Sequence, residues 1–528
     1  MIYFIPSWQS LSDGPTDFDD IVHQFKMFQK NNIEVEIILP TYLPSIRYQL
    51  NRQGLTNIRY WSVFEYLQNI KNNIGLPLKA DSLKFPDQAQ FIYTPICLIV
   101  LYQKSVFAKV YYSKFGGVSH VDYFVNDMVN KQNFYDDRGI LSSVIAYDST
   151  GKQIYINYFD DYQNIKIHHD LLTHQVKLEF EGKNYIYGSI EELVISYIEQ
   201  HLKDTRGNHT IILSACLENN YLTNLSHLNN RIIVSFSNQR FKFENKELLN
   251  KFLSMADILI ADTKFSQREL EKECQSKHRN LTIRELPPFD ANLKLGESQS
   301  MRQQVIYWYV DNSLAGILPT AIQKLTHRLI THKKNSIVIA SKSSLQIGTI
   351  SNKIFDYVKE FYQVNEESVV YQMAWQALND DSENRLHDNE LNQFSEIKEY
   401  QDATKAIEVM QHVEKQVITF EKDINIGLSS ARVILDLNNN PDTFLQISGI
   451  SAGLPQINMK ESSYIVDRKN GLILKTINQL DEAIEYYLDT LNYWNESLVY
   501  NIEQIEKYSN ENNVQRWLDL VRENNEHD

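Results

Sequence analysis

Residues 435–457 read LDLNNNPDTFLQISGISAGLPQI, and this stretch decides the predicted fold of the chain. The apolar residues that end at Leu437 predict a β-strand, and the Asn-rich segment up to Pro441 predicts a loop. A helix is expected next, and it should end at Gly453, because glycine readily takes the left-handed conformation that closes many helices. Pro455 then opens a second strand. This strand–helix–strand order is typical of a doubly wound α/β domain.

The same stretch resembles the nucleotide-sugar-binding half of GT-B glycosyltransferases, which consist of two Rossmann-like domains. In that family an acidic pair, eight positions apart, brackets the helix. Counting back from Gly453 places those positions at Asn440 and Ser448, so both carboxylates are absent. Active members also carry cations after the first strand of this domain, where the present chain has Asp311. We therefore expect a degenerate donor site, because an anion at Asp311 repels a diphosphate.

Four further residues are candidates for the cleft or binding site: Asp442, Gly453, Ser463 and Asn470. Asp442 is the nearest acid that could replace a missing carboxylate. An active GT-B glycosyltransferase that modifies a serine/threonine-rich acceptor therefore stays open as the alternative. Ser448 could still bind a sugar hydroxyl, but a neutral hydroxyl forgoes about 1–2 kcal/mol per contact relative to a carboxylate.

Composition limits the classes of function that are open to this chain. Its 528 residues predict two to four domains at about 150 residues each. The net charge of −15 opposes binding to nucleic acid. Three widely separated cysteines without metal-type spacing indicate buried thiols in a reducing compartment. We find no signal-peptide pattern and no apolar run near the ~20 residues of a membrane span. A soluble cytoplasmic protein is expected.

The apolar patterning predicts an α/β chain with two Rossmann-like domains in a GT-B arrangement, a β-rich antiparallel insertion in the first, and C-terminal helices. Short alternating strands between about residues 90 and 188, separated by turn signals, predict the insertion. Strands of the second domain are expected at 304–309, 336–340 and 368–371. The predicted limits are 1–45 and 191–292 for domain I, 46–190 for the insertion, 293–477 for domain II and 478–528 for the helices.

Several short motifs resemble the first of the accessory secretion proteins of Gram-positive bacteria. They are YFIPSW at 3–8, FDD at 18–20, RQG at 52–54, YWSVF at 60–64 and YDDRGILSS at 135–143. Together with the domain-II pattern the matches extend over most of the chain. Members of that family are glycosyltransferase-like proteins with two Rossmann domains and a β-rich insertion, and they are thought to lack transferase activity.

The resemblance implies a role in protein export. It implies a non-catalytic component, without cofactor, of an accessory Sec complex that recognises a glycosylated serine-rich adhesin and assists its export. The implied partners are two sibling accessory secretion proteins, the accessory Sec motor ATPase and the adhesin, with membrane contact at most peripheral. A carbohydrate-binding protein without a secretory role is the second alternative.

Four residues outside the cleft are candidates for partner contacts: Arg52, Trp61, Asp137 and Arg138. Asp137 and Arg138 belong to an Asp-Arg-Gly sequence in the insertion, and this sequence predicts a β-turn with an exposed tip. The alternatives are that the turn is only structural and that Trp61 belongs to the core.

One group of histidines has the composition of a metal site: His168, His169 and His174, with Asp170. Adjacent residues of a strand point to opposite faces, so neighbouring histidines rarely bind one ion. We therefore expect solvated residues at a turn between strands and no metal.

Overall fold

The computed structural model describes residues 1–8, 18–55, 58–114, 116–204, 209–227, 230–311, 315–379 and 397–522. The chain divides into two compact units. The first comprises residues 1–262 and 266–288 with the end of the chain from 521, and the second comprises 263–265 and 289–520. No helix in the described ranges is long and apolar enough to cross a membrane. The three cysteines are buried and unpaired.

The first unit is built on a seven-stranded parallel sheet in the order β17-β16-β15-β14-β1-β2-β3. Its strands are β1 (Ile2–Ile5), β2 (Val35–Leu39), β3 (Tyr60–Ser62), β14 (Thr210–Ser214), β15 (Arg231–Phe236), β16 (Ile258–Ala261) and β17 (Thr282–Glu285). The central strands are wholly buried, as is typical of parallel sheets that are covered on both faces. The chain order reverses between β14 and β1, as expected for a doubly wound domain.

Six helices of the described residues accompany this sheet. They are α1 (Asp20–Lys30), α2 (Ile46–Arg52), α3 (Val63–Leu67), α4 (Ile190–Asp204), α5 (Lys246–Met255) and α6 (Lys264–Ser276). Helix α1 begins where the sequence supplies a cap, because the Asp19 carboxylate accepts the Val22 backbone N–H at 3.1 Å.

The insertion is a ten-stranded antiparallel sheet in which each strand pairs with its neighbours in sequence. Its strands are β4 (Gln90–Tyr93), β5 (Cys97–Tyr102), β6 (Ser105–Tyr112), β7 (Val118–Val125), β8 (Met128–Tyr135), β9 (Leu141–Tyr147), β10 (Gln153–Phe159), β11 (Ile165–Asp170), β12 (Val176–Phe180) and β13 (Lys183–Tyr187). The start that we predicted for the insertion, residue 46, differs from the structure. Strand β3 pairs in parallel with β2, with Ile37 opposite Tyr60. Three residues are too few to show the periodicity that would have assigned β3 to the first sheet.

The second unit contains a six-stranded parallel sheet in the order β20-β19-β18-β21-β22-β23. Its strands are β18 (Gln304–Tyr309), β19 (Asn335–Ser341), β20 (Val413–Val417), β21 (Ala431–Asp436), β22 (Gln456–Asn458) and β23 (Gly471–Ile473). Its helices are α7 (Leu318–Thr331), α8 (Ser344–Tyr362), α9 (Val369–Asn379), α10 (Lys398–Gln411), α11 (Glu421–Ser430), α12 (Thr443–Ser451), α13 (Leu480–Leu488), α14 (Leu491–Lys507) and α15 (Asn510–Arg522). The last three lie in the region where we predicted C-terminal helices.

The strand that we predicted at 368–371 is wrong, because these residues open helix α9. The Ser368 hydroxyl accepts the Tyr371 backbone N–H at 3.1 Å, which is the arrangement of a helix N-cap. Tyr371 and Ala374, three positions apart on one helix face, are both buried in the core of this unit. The β-branched pair Val369–Val370 favoured a strand, and packing of the helix face outweighed that local preference.

Candidate functional site

The candidate site lies at the carboxyl edge of the second sheet. Strands β18 and β21 are neighbours, and the chain order reverses between them. In open α/β sheets, ligands bind in the crevice at such a reversal. The two strands end in register there, with Tyr309 opposite Asp436. Helix α12 begins beside this edge, so an anion would meet its N-terminal N–H groups.

An aspartate already occupies the N-terminus of helix α12. The Asp442 carboxylate accepts the Leu445 backbone N–H at 2.9 Å, and Asp442 is buried. Its second oxygen lies 3.4 Å from the Tyr309 hydroxyl oxygen. The position that a donor phosphate would take at this helix is therefore filled by a carboxylate of the chain itself.

A second aspartate, Asp436, ends strand β21 and is completely buried. It accepts backbone N–H groups from Asn438 and Asp442, each at 3.0 Å. Burial raises the pKa of Asp436 to about 7, despite these two hydrogen bonds. The group therefore titrates near neutral pH, far above the usual range of an aspartate.

The third aspartate of the edge is Asp311, which follows strand β18. Its carboxylate accepts the Lys342 backbone N–H at 2.7 Å and also the hydroxyl hydrogens of Ser341 and Tyr309. Residues 312–314, the rest of the segment that we predicted to lack cations, lie outside the described residues. Burial raises the pKa of Tyr309, and the nearby Asp442, Asp311 and Asp436 raise it further. The carboxyl groups of Asp311, Asp436 and Asp442 thus lie around one tyrosine at the point where a diphosphate would need positive charge.

The two positions that we predicted to have lost acids, Asn440 and Ser448, lie before and after Asp442 in sequence. Asn440 is exposed in the loop before α12, and Ser448 is buried within the helix. Gly453 follows the helix with φ of +73°, and a Cβ there would lie 2.4 Å from Leu498 Cδ1. The left-handed backbone conformation favours glycine at this position, which explains the signal that located the helix end.

The other two predicted cleft residues serve structural roles. The Ser463 hydroxyl accepts the Lys264 backbone N–H at 2.7 Å. Asn470 is completely buried, and its amide donates to the Tyr464 carbonyl at 3.0 Å and to Asn501 Oδ1 at 3.1 Å. The structure thus brings Asp311 and Asp442 together through Tyr309, and it assigns Asn470 to a buried polar network.

Tyr309, Ser341 and Asp436 were not predicted from the sequence as members of this site. The available signal was their position, since each is the last residue of a parallel strand. Carboxyl ends of parallel strands share one edge of the sheet, so polar residues that end such strands are candidates for one site.

The prediction that Asp137 and Arg138 form an exposed tip is wrong, because both residues are buried. Arg138 Nε donates to Asp136 Oδ2 at 2.8 Å, and Nη1 donates to Asp161 Oδ1 at 2.7 Å. Asp137 accepts Nη1 of Arg47 at 2.9 Å. The turn signal at Gly139 was correct, with φ of +79°, but segments distant in sequence cover the turn.

The remaining partner candidates are half-buried. Arg52 ends helix α2, and Trp61 stacks on His201 with ring centroids 4.1 Å apart.

In the insertion, His168 Nδ1 lies 2.7 Å from Asn157 Oδ1, and burial lowers the pKa of His169. Within the described ranges, no group of three or more His, Cys, Asp or Glu residues is placed to hold a metal ion.

Comparison with known protein families shows to which family this chain belongs. The model of the accessory Sec system protein 1 family matches residues 1–524. The chain belongs to this family. A member of the accessory Sec system protein 1 family from Streptococcus gordonii is 28% identical over 550 residues, which cover 99% of each chain.

Two solved structures share the fold of this chain over almost its full length. The glycosylation-associated protein (Gap123) complex of Streptococcus agalactiae contains a chain with TM-score 0.75 and 27% identity, over 98% of this chain and 99% of that one. A chain in the crystal structure of accessory secretory proteins 1, 2 and 3 of Streptococcus pneumoniae has TM-score 0.76 and 24% identity, over 99% of both chains.

A glycosyltransferase shares the fold as well. The pneumococcal O-GlcNAc transferase GtfA, solved in complex with UDP and GlcNAc, gives TM-score 0.64 at 12% identity over 99% of this chain and 98% of that one. Similarity at this level of identity concerns the fold alone. The predicted α/β fold of the GT-B glycosyltransferase class, with a large antiparallel sheet, is confirmed.

Proposed function

We propose that this chain is a non-catalytic component of an accessory Sec export complex, and that it recognises a glycosylated serine-rich adhesin and assists its export. Its partners are two sibling accessory secretion proteins, the accessory Sec motor ATPase and the adhesin. It acts in the cytoplasm, at most peripherally on the membrane. The non-catalytic part of the proposal rests on the placement of Asp311 and Asp442 at the donor edge, where their carboxylates accept backbone N–H groups.

Charge explains why this edge does not support sugar transfer from a nucleotide. Transferases of this fold stabilise the departing diphosphate with cations and N–H donors that are placed in advance. Two like charges about 4 Å apart repel each other by about 4 kcal/mol at an effective dielectric constant of about 20. Here backbone N–H groups at the edge already donate to the carboxylates of Asp311 and Asp442. A diphosphate would therefore meet negative charge and N–H groups that are already hydrogen-bonded.

Membership of the accessory Sec system protein 1 family supports the export role. The structures of accessory secretory proteins 1, 2 and 3 and of the Gap123 complex support sibling proteins as partners. Both contain a chain that this one matches over almost its full length. The adhesin and the motor ATPase are included as partners because the resemblance to this family implies them.

The purified chain should show no calorimetric response to UDP or to a panel of UDP-sugars at concentrations up to the millimolar range. The physical reason is the acidic edge around Tyr309. The pneumococcal O-GlcNAc transferase, measured in the same buffer, is the positive control. Micromolar binding, or turnover of a nucleotide sugar that Asp442→Ala abolishes, would show that the chain is an active transferase and would overturn the proposal.

The chain should copurify with the two sibling accessory secretion proteins after coexpression, in a complex that persists through size-exclusion chromatography. Disruption of its gene should stop export of the adhesin while intracellular glycosylation continues. A chain that remains monomeric beside both siblings, or a disruption that leaves export intact, would contradict the export role. Glycan binding by the purified chain in that second case would support a carbohydrate-binding protein instead.

A further inference from the structure

Strand β4 (Gln90–Tyr93) ends the ten-stranded sheet and leaves one side of its backbone unpaired. It pairs with β5 only, in antiparallel register without a bulge, and Phe91 lies opposite Val100. Within the described residues no other strand lies beside it. An edge of this kind presents N–H and C=O groups that can pair with a strand of another chain.

The register shows which backbone groups point outward. The Thr94 N–H donates to the Cys97 carbonyl at 3.1 Å. Hydrogen-bonded and non-hydrogen-bonded pairs alternate along an antiparallel ladder. The backbone groups of Ile92 therefore face β5, and those of Phe91 and Tyr93 face away from it. These two residues offer one N–H and one C=O each to an incoming strand.

The side chains of this edge are apolar and exposed. Phe91 is 49% exposed, Ile92 46%, Tyr93 76% and Ile96, in the turn that follows, 77%. Edge strands are usually protected against pairing by a lysine, a proline or a bulge. Strand β4 has none of these within its four residues. The opposite edge of the sheet, β13, carries Lys183, and its Tyr187 packs against the core of the first unit.

We infer that the outer edge of β4 binds an edge strand of a folded β-sheet protein, which under the proposed function is a sibling accessory secretion protein. The unpaired backbone requires an extended strand, and the side chains of Phe91, Ile92 and Tyr93 require an apolar one. A second copy of this chain is disfavoured as the occupant, because each copy carries a net charge of −15. The inference rests on the proposed function and adds to it the surface that binds the partner.

Two variants separate backbone pairing from simple apolar contact. Ile92→Lys places a charge on the edge, and we expect the affinity for coexpressed and purified siblings to fall tenfold or more. Tyr93→Pro removes an outward N–H without breaking the ladder to β5, and we expect a similar loss. Ile186→Lys is the matched control, because Ile186 is 69% exposed on the opposite edge strand, and its affinity should stay within twofold of wild type.

Hydrogen exchange tests the same surface without a mutation. In the complex with the siblings, the amides of Phe91 and Tyr93 should gain protection, while those of β13 should not change. Unchanged affinity of both β4 variants, or no added protection at 90–93, would overturn the edge inference and leave the proposed function standing. Failure of the wild-type chain to bind either sibling would reject both. A wild-type homodimer that Ile92→Lys dissociates would overturn the choice of occupant.

Discussion

Replacement of Arg138 with alanine should lower the free energy of unfolding by about 3–5 kcal/mol, because it removes one partner from a buried ionic network. Arg138 is 5% exposed and bridges Asp136 and Asp161. Burial raises the pKa of Asp136, and the Arg138 guanidinium opposes that rise. Without the guanidinium both carboxylates lose their cation inside the protein. Urea unfolding at pH 7, followed by circular dichroism, measures the loss.

Two controls isolate the ionic contribution. Arg138→Met retains much of the side-chain volume but no charge, so it should lose nearly as much stability as Arg138→Ala. Lys251→Ala breaks a surface pair with Glu247, whose side chains are 44% and 83% exposed, and should cost less than about 1 kcal/mol. If Arg138→Met is as stable as wild type, the contribution of Arg138 is apolar packing and our explanation is wrong.

Replacement of Asp436 with asparagine should change how stability depends on pH. The pKa of Asp436 is about 7 in the folded protein, against an ordinary value of 3.8, because the carboxyl group is completely buried. Between about pH 4 and pH 7, the folded state therefore keeps a proton that the unfolded state has already released. Wild-type stability falls as the pH rises through this range, by about 4 kcal/mol for a difference of about three pKa units.

The Asp436→Asn variant has no carboxyl group to ionise at this position. Its free energy of unfolding should gain about 4 kcal/mol relative to wild type between pH 4 and pH 8. Urea denaturation of both proteins at four pH values measures the difference. Asp148→Asn is the control, because hydrogen bonds from Thr150 and Lys152 lower the pKa of exposed Asp148, so its effect on the pH dependence lies below about pH 4 and its difference from wild type should stay constant between pH 4 and pH 8. A constant difference between wild type and Asp436→Asn across this range would contradict the elevated pKa.

Much of the second unit was predictable because its signals are local. The strand, helix and second strand expected from residues 435–457 occur as Ala431–Asp436, Thr443–Ser451 and Gln456–Asn458. Gly453 marked the helix end through its own backbone conformation. Asp442 caps the first turn through an N–H only three residues away. A cap or a helix end is determined by neighbours in sequence, so one stretch of sequence was enough to place them.

The predictions that the structure contradicts concern burial and strand pairing, which depend on residues distant in sequence. The turn at Asp137 and Arg138 was recognised, but its burial depends on Arg47, Asn72 and Asp161. Helix α9 replaced a predicted strand because its buried face packs in the core of the second unit. Strand β3 was missed because its pairing with β2, and not its own pattern, makes it a strand.

The sequence by itself determined the doubly wound architecture and the antiparallel insertion, because periodicity and turn-forming glycines are properties of short segments. Only the tertiary structure decided that Asp311, Asp436 and Asp442 converge on Tyr309 and that Arg138 is buried. It alone showed that strand β4 ends the sheet with an unpaired side. The physical reason is that charge and burial depend on which strand ends meet in space, and strand order fixes this across more than a hundred residues.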